Sequence, residues 1–320
     1  MLEVFGAAET LDFFQSMGML TTDLGGYYYP ASMQASTVVD TLTGKMRQLG
    51  VHIKTGTEVK KIQKIKDTFH VTCGTEKYQG RNVILAAGGM AQEKLGSNGS
   101  GYALAKAVGH TVTDVFPALV ALESEEKFFQ HLAGVRNVSA LSVYVNGQKT
   151  AEQTGEVQFA KYGISGIPVF QVSRYGIRAL KQGKNVTLIL NFLPEFSREQ
   201  LKAFLKIRKE NCPYKGKKDF LTGLFPDKLA KVLLSANDLE EAISSYPLKV
   251  TGYQSFEQAQ VCSGGVDTTQ VNARTLESTR NSGLYFAGEL LDIDGKCGGY
   301  NLQWAWSSGY AAGASATGKE

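Results

Sequence analysis

Residues 283–313 read GLYFAGELLDIDGKCGGYNLQWAWSSGYAAG, and this stretch decides the fold. An apolar run (Leu284, Tyr285, Phe286, Ala287) predicts a buried strand that breaks at Gly288. Glu289 follows at once, with Asp292 and Asp294 close behind, and Gly298 and Gly299 then lead through Tyr300 and Asn301 into an apolar helix. Strand, acidic turn, glycine-rich loop and helix start is the order in which an open α/β sheet presents a ligand site at the carboxyl ends of its strands. The unpaired N–H groups of such a helix start favour negative charge.

Working outward, the first hundred residues have the same texture. Leu11, Phe13, Phe14, Met17 and Leu20 suggest a helix, and GGYYYPAS (residues 25–32) a loop or short strand. A second helix is predicted over 37–49, with Val38, Leu42, Met46 and Leu49 on one face and Gly50 as its stop. VHIK, EVKKIQKI, TFHVTC and NVILAA (from residue 51 to 87) read as strands, the last a central buried one ending in Gly88 and Gly89. Gly96, Gly99 and Gly101 form a loop, with Ser100 as the expected cap of a short helix ended by Gly109.

From residue 116 the texture turns to β, with an Asn146-Gly147 hairpin signal and a helix starting near Pro168. Residues 197–245 are helical and charged, with a capping arrangement at Ser197 and a helix opened by Pro226. The sheet-and-helix texture then returns, which predicts one α/β domain interrupted by an insertion.

A length of 320 residues suggests about two domains at ~150 residues each. The net charge of +4 is spread without a like-charge block, so no nucleic-acid partner is expected. Cys73, Cys212, Cys262 and Cys297 contain no CxxC pair, which fits a reducing, cytoplasmic setting, and no run reaches the ~20 apolar residues of a membrane helix. The expected partner is a small-molecule substrate; oligomeric state is not readable.

Glu289 either accepts hydrogen bonds from ribose or ribityl hydroxyls or is an exposed turn acid. Asp292 and Asp294 extend that contact or bind a metal, and no metal is expected because no histidine lies nearby and calcium needs more oxygen ligands. The helix after Gly299 carries Ala305, Gly309 and Gly313 at four-residue spacing, a stripe suited to close packing. His52, His70, His110 and His131 are scattered without an obvious partner. G-x-G-x-x-G, H-E-x-x-H and G-x-S-x-G do not occur, and GASATGK at 313–319 is a chance near-match to a phosphate loop because Glu320 replaces the hydroxyl residue.

The segments AAGGMAQEKLGSNGSGYALAKAVGH, GEVQFAKYGISGIPVFQVSR, CSGGVDTTQV and ESTRNSGLYFAGELLDIDGKCGGYNLQWAWSSGYAAG resemble the BaiN-like NAD(P)/FAD-dependent oxidoreductases. These are bacterial flavoproteins of the glutathione-reductase-type superfamily, with aminoacetone-oxidase-like relatives. The resemblance implies a Rossmann-type FAD domain (1–115 and 270–320), interrupted by a β-barrel-like domain (116–196 and 246–269) that carries a helical insertion (197–245). It further implies FAD as cofactor and NAD(P)H as a possible co-substrate. By the same resemblance Val59 contacts the adenine side, and Ala87, Gly88 and Gly89 line the cofactor. Gly288 and Glu289 then meet the ribityl chain, with Asp292 counted as cofactor-binding by its place beside them, and Gly299, Tyr300, Asn301 and Leu302 hold the isoalloxazine edge. No catalytic acid or base is assigned.

Family members open with a strand, a G-x-G-x-x-G turn and a helix for the pyrophosphate, a unit this sequence lacks, so the FAD domain is expected to be N-terminally truncated. GGYYYPAS also departs from the basic form common at that point. The alternative to a flavin-dependent hydride transferase is therefore a cofactor-free or inactive remnant serving as a binding module.

Overall fold

The computed structural model describes residues 2–318 and divides into two compact units. Lys319 and Glu320, which complete the phosphate-loop near-match, lie outside the described residues.

The first unit comprises residues up to 90, 96–115 and those from 263 on. Its centre is a parallel pair of short strands, Val83–Leu85 and Leu284–Phe286, in the register Leu284↔Val83, Tyr285↔Ile84 and Phe286↔Leu85. Bonds at either end, Val83 N–H to Gly283 O (2.9 Å) and Ala287 N–H to Leu85 O (3.1 Å), bring the two carboxyl ends side by side. Leu284 and Phe286 are wholly buried with Phe69, Leu290, Ala105 and Val266. Burying a side chain of that size stabilises by roughly 1.5–3 kcal/mol. An antiparallel sheet, Lys61–Ile65, Thr68–Cys73 and Glu76–Gly80, contributes Ile62 and Phe69 to the same core.

Several expectations change here. Val83–Leu85 is not a strand buried on both faces, because Ile84 is 42% exposed. VHIK is irregular chain with Val51 and Ile53 exposed: alternation alone does not make a strand where no ladder partner is available among the described residues. Val59 therefore precedes the Lys61–Ile65 strand instead of lying within one. The helix Ala35–Gln48 forms and ends at Gly50 (φ +72°) as predicted, yet none of its residues is buried and Met46 and Leu49 face solvent. Gly99 (φ +76°), not Ser100, caps the helix Ser100–Ala107, and Asn98 Oδ1 accepts the Ser100 N–H.

The second unit (91–95 and 116–262) is a seven-stranded antiparallel sheet plus helices. Its edge strands, Tyr246–Val250 and Gly252–Tyr253, are consecutive in sequence, so one chain segment serves both edges. Among the described residues the strand order is open, and the two edges are joined through the chain at Thr251. Strands Arg136–Val145 and Gln148–Ala160 meet at Asn146-Gly147, both at positive φ (+48° and +82°) as the hairpin signal requires. The helix Ile167–Lys181 buries Val169, Val172 and Ile177. Ser197 caps Arg198–Asn211: its hydroxyl accepts the Gln200 N–H (3.2 Å) and the Gln200 side chain accepts the Ser197 N–H (2.8 Å).

Candidate functional site

The site is built where the parallel strands end. Strand Leu284–Phe286 passes through Ala287 to Gly288, whose φ of +72° costs an L residue strain that glycine avoids. One tight helical turn, Gly288–Leu290, follows; it buries Leu290 completely and leaves Glu289 half-buried. The C-terminal helix Tyr300–Ala316 holds this turn from behind. Ser308 Oγ accepts the Gly288 N–H at 2.9 Å and donates to Trp304 O at 2.6 Å, while Trp304 Nε1–H donates to Gly288 O at 3.0 Å. Both backbone polar groups of Gly288 are thus satisfied by one face of the helix.

Beside the turn lies the loop that leaves the other strand. Gly89 O accepts the Gly99 N–H at 3.0 Å, tying residues 87–90 to the loop before helix Ser100–Ala107. A Cβ at Gly101 would lie 2.8 Å from Ala87 Cβ and 2.9 Å from Leu290 Cδ1, and one at Gly88 2.9 Å from Ser97 Oγ. These glycines set how closely the two turns approach.

The acidic residues divide by role. Asp292 accepts from Thr113 Oγ1 (3.0 Å), and Asp294 Oδ1 from Ser263 Oγ (3.1 Å), so both anchor the loop after the turn to the chain beneath. Asn301 clamps the next segment, accepting the Gly295 N–H at 2.7 Å and donating to Gly295 O at 3.3 Å. Gly299 (φ +89°) starts the C-terminal helix, whose first bond runs from Gln303 N–H to Gly299 O at 2.8 Å. The N–H groups of Tyr300, Asn301 and Leu302 precede that bond and lie in the partly positive first turn. Tyr300 and Leu302 are exposed there. The Tyr27 ring, at the tip of the Thr21–Asp23/Tyr28–Pro30 hairpin, packs with its Cδ1–Cε1–Cζ side against Gly298: a Cβ at Gly298 would strike Tyr27 Cε1 and lie 3.0 Å from its Cζ.

Beneath the strand, His110 does have a partner. Its Nε2 lies 3.0 Å from Ser278 Oγ, and its ring packs edge-on against Phe286 at 4.7 Å. Ser278 Oγ already accepts the N–H groups of Arg280 (3.0 Å) and Asn281 (2.8 Å), so its own proton is the one available to Nε2, which places the ring proton on Nδ1. Burial, then the charge of Arg280, holds the imidazole below its ordinary pKa.

The structure thus brings together Ala87, Gly88, Gly89, Gly288 and Glu289, and in the loop that follows Asp292, Gly299, Tyr300, Asn301 and Leu302. Val59, partly buried, packs against the core of this unit. The small-residue stripe is not close-packed: a groove of about 1190 Å³ runs past Ala305, Gly309 and Gly313, and nothing among the described residues lies within 4 Å of a Cβ at either glycine. Tyr27, Trp304 and Ser308 were missed by sequence reasoning. Trp304 and Ser308 carry a weak signal in their four-residue spacing; Tyr27 carries none linking it to Gly298. Cys297, in the same loop, is half-buried and in no disulfide. Among the described residues no group of three His, Cys, Asp or Glu side chains is arranged to hold a metal, and no helix is long and apolar enough to cross a membrane.

Comparison with known proteins places residues 1–315 on the HI0933-like protein Rossmann domain family. The chain is 42% identical over 332 aligned residues to a 3-dehydro-bile acid delta(4,6)-reductase of Clostridium scindens, covering 98% of this chain and 81% of that one. It is 29% identical to ribosomal RNA dihydrouridine synthases of Haemophilus influenzae and Escherichia coli, covering in each case 87% of this chain and 71% of the relative.

Proposed function

The chain belongs to the HI0933-like family and is an oxidoreductase of the flavoprotein kind, and from that premise we propose that it transfers a hydride between NAD(P)H or an organic substrate and FAD. The observation that carries this reading is the junction of strand end, Gly288–Leu290 turn and helix start. Gly288 and Gly299 both have left-handed backbone, and a Cβ at either would meet nothing within 4 Å, so a flat ring has room to lie against the main chain. Glu289 supplies a carboxylate to a polyol hydroxyl, and the first-turn N–H groups face an electron-rich ring edge. These residues fit the ribityl and ring end of a flavin.

The bound flavin would supply the two-electron chemistry that no side chain here offers. The residues bind and orient. Trp304 and Ser308 fix the Gly288 carbonyl and N–H, Asn301 holds the loop before the helix, and the helix dipole would favour negative charge at the ring end of a bound flavin.

Both kinds of relative bear names that describe hydrogen addition across a carbon–carbon double bond, one in a 3-dehydro bile acid and one in uridine. We assign this chain the same class of acceptor, an alkene conjugated to a carbonyl: hydride goes to the β-carbon and a proton to the α-carbon. The exposed Tyr300, Leu302 and Ile293 beside the turn favour an apolar one. The test is an anaerobic mixture of FAD-reconstituted protein, NADH or NADPH, and a polycyclic enone. The flavin band should bleach with the nicotinamide and recover as saturated ketone forms. An intact enone, with neither nicotinamide oxidised, would refute the assignment.

A further inference from the structure

Resting on the flavin reading above, we infer that Tyr27 is the aromatic wall of the ring end of the site, the side chain against which the isoalloxazine stacks. Three observations converge on it. The first is its seat. The Tyr27 ring occupies the space a side chain at Gly298 would fill, so Gly298 is required there by the tyrosine as well as by its φ of +103°. Gly298 immediately precedes Gly299, so the ring is seated on the loop that leads into the helix start.

The second is its support. Tyr27 sits at the tip of a hairpin registered by Asp23↔Tyr28 and Thr21↔Pro30. Its carbonyl accepts the Leu24 N–H at 2.9 Å, and Asp23 Oδ1 accepts the Gly26 N–H at 2.6 Å. The backbone carrying the ring is thus fixed within the turn, and the glycine sets where the ring lies. The third is its exposure: with its Cδ1–Cε1–Cζ side seated on Gly298, Tyr27 is still 45% exposed. An aromatic ring seated along one side and still half exposed is an arrangement that accepts an offset-stacked partner. Gly299, with nothing within 4 Å of a Cβ, leaves room for that partner next to it.

A tyrosine in stacking contact with a flavin quenches its fluorescence by electron transfer, so the proposal has a readout independent of turnover. Wild type, Tyr27→Leu, Tyr27→Phe and Gly298→Ala are titrated with FAD, following flavin fluorescence and the visible band, with far-UV circular dichroism and thermal midpoint recorded for each. Tyr27→Leu should bind FAD roughly three- to tenfold more weakly, the span expected for losing one aromatic pair. Its bound flavin should be markedly brighter than wild type. Tyr27→Phe should restore affinity with intermediate quenching. Gly298→Ala, which leaves the tyrosine in the chain but drives it off its seat, should reproduce the Tyr27→Leu spectrum. If all four proteins bind FAD with one affinity and one fluorescence yield, Tyr27 is not the wall and the flavin reading survives. If wild type takes up no flavin, both fall together.

Discussion

Trp304 Nε1–H donates to the carbonyl of Gly288 at 3.0 Å across sixteen residues, tying the C-terminal helix to the turn that ends the central strand. Ser308, one helical turn on and fully buried, receives the N–H of the same glycine. The pair makes the turn a rigid extension of the helix. Removing Ser308 as Ser308→Ala would leave the Gly288 N–H without its acceptor and lower stability by about 1–3 kcal/mol, while Trp304→Phe would cost about 1 kcal/mol for its hydrogen bond. Denaturant midpoints check the stabilities, and flavin retention through a desalting column should fall in both variants.

The carboxylates separate by assay. Glu289→Ala should release flavin, because its carboxylate stands in the turn at the strand end. Asp294→Ala should lower the midpoint and weaken flavin less, because its carboxylate is bonded to Ser263 within the scaffold. Asp292→Ala should behave like Asp294→Ala through its bond to Thr113. Equal flavin retention in Glu289→Ala and Asp294→Ala would take Glu289 out of the ribityl role.

Glycine substitutions grade the turn. Gly299→Ala meets open space, so its cost is backbone strain alone, about 1 kcal/mol. Gly265→Ala would put a Cβ 2.7 Å from Leu290 O and 2.9 Å from Asp292 N, displacing the backbone that carries the turn. Expression and melting should be near normal for the first and severely impaired for the second.

His110 sets an acid limit. Its folded pKa lies below the ordinary histidine value of about 6.5, so the unfolded chain takes up the proton first as pH falls. The stability it contributes is complete above that value and is lost below it, down to the folded pKa, with a slope of at most about 1.4 kcal/mol per pH unit. His110→Gln should melt lower at neutral pH but show a flatter fall between about pH 7 and pH 5. Parallel pH profiles for the two proteins would remove the effect.

The strand, turn and helix of 284–316 were legible because each is specified locally: an apolar run, glycines where φ turns positive, and a helix start after Gly299. The Asn146-Gly147 hairpin and the Ser197 cap were legible for the same reason. What could not be read were pairings between distant residues. Nothing near Asp292 announces Thr113, 179 residues away, and nothing in GGYYYPAS announces Gly298. VHIK alternates like a strand, but pairing needs a neighbour the pattern does not encode, and the apolar side of Ala35–Gln48 likewise predicts a packing partner without supplying one.

The central claim is that the Gly288–Leu290 turn and the start of the C-terminal helix hold a flavin, and the most direct measurement is the visible absorption spectrum of the purified protein after incubation with FAD and removal of free cofactor. The account predicts a retained, resolved flavin band in wild type that is reduced in Glu289→Ala. A colourless protein that takes up no FAD, with circular dichroism showing it folded, would contradict it and leave the binding-module reading in its place.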